Sequence, residues 1–197
     1  MKGARGGFTL LELMVCVAII LVLCALFLPV LSRCREAAGR VRCQSQIRQL
    51  GLALLGYASV HDDFLPHEDN GDTQPPFSCG WYEVLDATLG DRRCLQCGSL
   101  SVDPTWRSYK MNSLLEEGGM DFRNLGSIED PSRTVLAFDG RVDNPGVRRL
   151  PKGTWDLAAP RHGEGTVCLF CDGHVAWISS RFDTAGWADP GSLVWRP

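Results

Sequence analysis

Leu13 through Leu31 contain no charged side chain, a gap of nineteen residues. A helix on the surface of a soluble domain keeps one polar face, so a gap this long excludes that setting for the segment. Positive charge is also short overall. The net charge is −3, and a mildly acidic chain has no general attraction for nucleic acid. Internal repeats and low-complexity tracts are absent, which excludes solenoids and disordered tails. No Ser or Cys stands in a recognised nucleophile motif beside a histidine, so covalent catalysis has no visible start. What the chain does have is cysteine. There are nine, and an odd number cannot be fully paired within one chain.

The apolar residues crowd into the first 31 positions. From Phe8 to Leu31 the run is 24 residues with one acid, Glu12. At 1.5 Å per residue it makes about 36 Å of helix, enough for a hydrocarbon core of roughly 30 Å. A secretory signal would end in a small-x-small cleavage site. Here the run leads into Pro29, Ser32 and Arg33. A lipoprotein signal needs a small residue before its cysteine, and Arg33 precedes Cys34. Upstream, Arg5-Gly6-Gly7-Phe8-Thr9-Leu10-Leu11-Glu12 sets a short basic leader and a glycine pair before the span.

That segment resembles the type IV prepilin processing signal, in which glycine, Phe-Thr-Leu, an acid and an apolar helix coincide. The resemblance implies cleavage between Gly7 and Phe8 by a prepilin peptidase, followed by N-methylation of Phe8. Loss of Lys2 and Arg5 would bring the charge to −5. It also implies a cytoplasmic N-terminus and an extracytoplasmic C-terminal domain held at the inner membrane. The charge bias points the other way. Arg33, Arg35, Arg40 and Arg42 follow the span, whereas only Lys2 and Arg5 precede it, and positive residues favour the cytoplasmic side. A carboxylate near the bilayer costs a few kcal/mol unless it is paired. In a staggered assembly, Glu12 of one subunit could meet the Phe8 amine of its neighbour and set the register.

Beyond Ser32 the helix is expected to continue. Cys43, Ile47, Leu50, Leu54 and Tyr57 recur at helical spacing as one apolar stripe. Gly39, Gly51 and Gly56 weaken it by up to about 1 kcal/mol each relative to Ala. Pro29 predicts a kink, and Asp62-Asp63 and Pro66 predict the end. Residues 66–80 read as loop. Thr134–Phe138 reads as a strand ending at Asp139-Gly140. Thr166–Cys171 and His174–Ser179 read as a hairpin closed by Asp172-Gly173 in a two-residue turn. The expected fold class is α+β, a long helix on a small antiparallel sheet. The expected divisions are a leader at 1–7, a membrane segment at 8–31, an amphipathic continuation at 32–61 and a soluble domain at 62–197.

His162, nine residues, then Asp172-Gly173 resembles the H-x9-D-G pattern of a large group of prepilin-processed bacterial proteins. Cys43–Leu54, Tyr109–Asn112 and Phe170–Val175 support that resemblance, which implies a pseudopilin-like fold. Cys94-x2-Cys97 departs from it, because such proteins often show a single Cys-Pro there. Cys43, Cys79, Cys94 and Cys97 are candidates for disulfides or a metal. Cys168 and Cys171 share the Cys-x2-Cys spacing, but three residues apart on a strand they point to opposite faces. His162 and His174 near Asp172 suggest acid–base chemistry less than structural hydrogen bonds to the turn or a neighbouring loop. Glu68–Asp72 lacks the spacing of a calcium loop. Two function classes follow. One is a structural subunit of a pilus-like or secretion filament, with prepilin peptidase, other pilin-like subunits and an inner-membrane platform as partners. The other is a membrane-anchored domain that binds a ligand or metal. Neither reading includes an enzyme activity or a cofactor.

Overall fold

The computed structural model describes residues 9–66, 81–82, 85, 89–90, 92–100, 108–117, 121–122, 124–142, 152–153, 158–163 and 165–179. The chain divides into two compact units, Met1–Ala38 and Gly39–Pro197. One helix, α1 (Leu10–Ala58), contributes to both and contains Pro29 without a break in the element.

In the first unit the helix begins with Thr9. The Thr9 amide and hydroxyl donate to Glu12 Oε2 at 2.9 and 2.8 Å, and the Glu12 amide donates back to Thr9 Oγ1 at 3.2 Å. This reciprocal arrangement satisfies amides that the first turn would leave orphaned. Thr9-x-x-Glu12 is its sequence signature. Every large apolar side chain from Leu10 to Leu31 is exposed. Such a surface is far larger than a soluble domain leaves open, and the helix is long and apolar enough to cross a membrane.

In the second unit the stripe on α1 packs as its spacing requires. Cys43, Ile47, Leu50 and Leu54 are fully buried. Burying each aliphatic side chain contributes about 1.5–3 kcal/mol. The helix ends at Ala58, and Asp62 and Asp63 turn the chain with φ of 52° and 62°. Aspartate tolerates that left-handed region better than most residues.

The sheet runs β5–β1–β4–β6–β7. Its body is four antiparallel strands: β1 (Tyr109–Asn112), β4 (Val135–Asp139), β6 (Gly165–Phe170) and β7 (Val175–Ser179). The two-residue β5 (Lys152–Gly153) joins the β1 edge in parallel. A separate ribbon pairs β2 (Glu116–Glu117) with β3 (Asp121–Phe122). The architecture is α+β, as the sequence predicts. A register shift between Val135 and Ala137 lets Leu136 and Ala137 both join the cluster on the helix side. Val135 and Phe138 pack with Cys168 and Phe170 in a second cluster. Asp139 lies opposite Tyr109 in the register, so both address the helix side.

The hairpin differs from its expected form. Phe170 N–H donates to the His174 carbonyl at 2.9 Å, leaving the three residues Cys171–Gly173 between the arms. Gly173 has φ of 88°, and Asp172 is not among the residues with positive φ. A three-residue connection with glycine in the left-handed position replaces the two-residue turn, in which both central residues need positive φ. Trp81 and Leu85 are helical and buried.

Candidate functional site

Gly7, Phe8, Cys79 and Glu68–Asp72 lie outside the described residues. Glu12 is exposed at the start of α1. Its Oε2 is engaged by Thr9, and Oε1 has no hydrogen bond among the described residues.

His162 and Asp172 do not meet. They flank β6 at opposite ends. Asp172 Oδ1 accepts the His174 amide at 3.0 Å and lies 2.6 Å from His174 Nδ1, in an exposed pair. Desolvation raises the Asp172 carboxyl, but the His174 amide bond and the contact with its ring together outweigh it and hold the group below its usual range. A Cβ on Gly173 would come within 2.9 Å of Leu55 Cδ1, so this end of the hairpin sits against the helix.

His162 is buried, and its Nε2 lies 3.1 Å from Cys97 Sγ. Of the two partners expected for this histidine, hairpin turn or neighbouring loop, the geometry selects a loop residue. Cys97 follows the 3-10 turn Arg92–Leu95. Its amide donates to Ser108 Oγ at 2.6 Å, which fixes the loop against the start of β1. On α1, Cys43 begins the buried stripe. Its Sγ is 3.9 Å from Asp139 Oδ2 and 3.1 Å from the Tyr109 hydroxyl. Asp139 ends β4. One donor atom from each of Cys43, Cys97, Asp139 and His162 lies within 4.8 Å of the other three, and all four residues are buried. Cys94 is half-buried and is not part of the group. Cys168 and Cys171 are buried free thiols on opposite faces of the sheet region. Burial pushes the Cys171 thiol up to about 12, with a contribution from the Asp172 charge.

The electrostatics of the four are strongly perturbed. Cys97 is lowered to about 5, first by hydrogen bonding from the Cys43 thiol and then by the Ser99 amide and His162, against desolvation. Cys43 is raised, by that same bond, by burial and by the Asp139 charge. Burial pushes Asp139 up to about 7, while Arg161 opposes it. Arg161 Nε reaches both carboxylate oxygens at 3.1 and 3.0 Å, and its terminal nitrogen bonds the Gly140 carbonyl. Trp177 Nε1 donates to the His162 carbonyl at 2.7 Å and holds the turn before β6. Chemically the group offers two sulfurs, a carboxylate oxygen and an imidazole nitrogen, all on buried residues.

Asp139 was legible only as a turn residue beside Gly140. The usable signal was an acid directly ending an apolar strand, where the side chain must enter the core or leave it.

Residues 2–28 match the prokaryotic N-terminal methylation motif. Residues 32–120 match a domain described as a protein of unknown function, DUF1559. No curated protein and no solved structure matches the chain. The chain therefore carries a prepilin-type methylation motif followed by a match to the DUF1559 domain, and the motif supports a type IV pilin-like protein. The DUF1559 match includes Cys43 and Cys97 and stops before Asp139 and His162.

Proposed function

We propose that the chain is a structural subunit of a pilin-like filament, either a surface pilus or a secretion pseudopilus, and that it is not an enzyme. The supporting observation is the coincidence of a prepilin-type motif with an exposed apolar helix that starts at a single carboxylate. In this reading prepilin peptidase cuts between Gly7 and Phe8 on the cytoplasmic side. The methylated Phe8 amine then sits near Glu12. In a filament, neighbouring helices provide the apolar surroundings that lipid provides before assembly. The Oε1 atom of Glu12 accepts the Phe8 amine of an adjacent subunit, which neutralises two charges where both are costly. The C-terminal domain lies outside the cytoplasmic membrane, and an inner-membrane platform supplies subunits.

The group of His, Cys and Asp side chains that lies close enough to share an ion is buried in all four members, which supports a structural use of those side chains. The competing reading is an anchored binding domain that uses the prepilin signal only for delivery. Shear release followed by electron microscopy separates the two. A filament subunit appears in the sheared fraction, and its release ceases in a strain without the peptidase. A protein found only in membranes supports the anchored domain. An adjacent assembly ATPase and secretin in the genome would select the secretion pseudopilus.

A further inference from the structure

We infer that Cys43, Cys97, Asp139 and His162 form a structural zinc site that staples α1 to the sheet. This stands apart from the filament reading, because it concerns only the folded domain.

The donor set is the first argument. Two thiolates, an imidazole and a carboxylate make a mixed sulfur–nitrogen–oxygen set suited to Zn2+, which takes four protein ligands at structural sites. The second argument is distance. Zinc bonds of about 2.0–2.3 Å place tetrahedral donors roughly 3.3–3.8 Å apart. The observed separations are 3.1 Å for Cys97–His162 and 3.9 Å for Cys43–Asp139, and all four atoms fall within 4.8 Å. An ion therefore fits with side-chain adjustments of about an ångström or less.

The third argument is charge. Two thiolates and a carboxylate carry three negative charges, the ion two positive ones, and Arg161 on Asp139 supplies the last. The ligands, the ion and Arg161 together sum to zero. Outer contacts are also in place. Tyr109 donates to Cys43, Arg161 to Asp139, and Trp177 to the His162 carbonyl. Such contacts orient ligands and are part of a working metal site.

A Cys43–Cys97 disulfide is the alternative use of the same sulfurs. It would engage only two of the four groups and give Asp139, held by Arg161, and the buried His162 no part in the staple. The ligands come from distant parts of the sequence, with Cys43 and Asp139 separated by 96 residues and Cys97 and His162 by 65. An unfolded chain has no such site, so the metal is captured on folding and its binding energy becomes folding energy.

The test uses the full chain, extracted from membranes into detergent without reductant or chelator. Elemental mass spectrometry should find about one zinc per chain. Alkylation of Cys43 and Cys97, read by peptide mapping, should accelerate on the order of tenfold or more with EDTA and slow again when Zn2+ alone is restored. Cys97→Ala and His162→Ala should lose the metal, whereas Cys94→Ala should keep it. Cobalt(II) exchanged into the wild type should show thiolate-to-metal charge transfer. Three results would overturn the proposal: wild-type chain without zinc, a Cys43–Cys97 disulfide in the peptide map, or zinc retained in both ligand variants. The wild-type measurements decide the matter even if a variant fails to fold.

Discussion

Arg161 is the counter-charge for a carboxylate with no access to water. Asp139 is fully buried, and the guanidinium bonds both its oxygens. Removing one partner of a buried pair leaves the other uncompensated, at about 3–5 kcal/mol. Arg161→Met keeps the apolar stem and removes the charge. It should lower the urea midpoint of the detergent-solubilised chain by an amount in that range, whereas an unchanged midpoint would mean that Asp139 is satisfied without it. The other residue-scale prediction concerns processing. Intact mass of the membrane form should correspond to a chain beginning at methylated Phe8. A chain that retains Met1–Gly7 in a host with active peptidase would refute this. Glu12 was readable in the sequence as the acid of the processing motif. Its bond to Thr9 is equally legible in the Thr-x-x-Glu spacing, the signature of a capping box.

At the scale of elements, the glycines of α1 separate into two kinds. A Cβ on Gly51 would come within 2.6 Å of Leu169 Cδ1, whereas a Cβ on Gly56 would meet nothing within 4 Å. The sequence shows both as equal helix weakeners, because propensity takes no account of what lies opposite. Gly56→Ala should therefore stabilise the domain by up to about 1 kcal/mol. Gly51→Ala should lose that gain to overpacking, which costs about 1–3 kcal/mol. Chemical denaturation of the two variants checks the contrast, and equal stabilisation would contradict the contact between α1 and β6. The hairpin supplies a second test. Gly173 combines φ of 88° with a close approach to Leu55, so Gly173→Val should destabilise by at least about 1–2 kcal/mol while membrane insertion is unaffected. The turn position was legible from Asp-Gly. The loop length was not, because it depends on which residues of the two arms pair last, and that follows from packing on the helix.

For the whole molecule, the anchor, the stripe and the late strands follow from local pattern: an uncharged run, a helical repeat and an Asp-Gly turn. The four-residue cluster does not. Cys43 reads as the first member of an apolar stripe, Cys97 as one of four candidates for a disulfide or a metal, His162 as one end of a spaced motif and Asp139 as the end of a strand. They meet because β4 lies between β1 and β6 in the sheet, and no local pattern encodes that order. Membrane attachment and domain packing are thus separable properties, and so are their tests. The claim that joins them is that the chain is built to enter a filament through its N-terminal helix. The most direct measurement is the ratio of mutant to wild-type chain in sheared filaments, divided by the same ratio in membranes, for cells expressing both. Glu12→Leu removes the charge and eases insertion, and Glu12→Gln removes the charge but keeps the shape. The account predicts that both variants are inserted and cleaved, yet depleted in filaments by on the order of tenfold, the effect of about 1.4 kcal/mol. Equal ratios in filaments and membranes would contradict it.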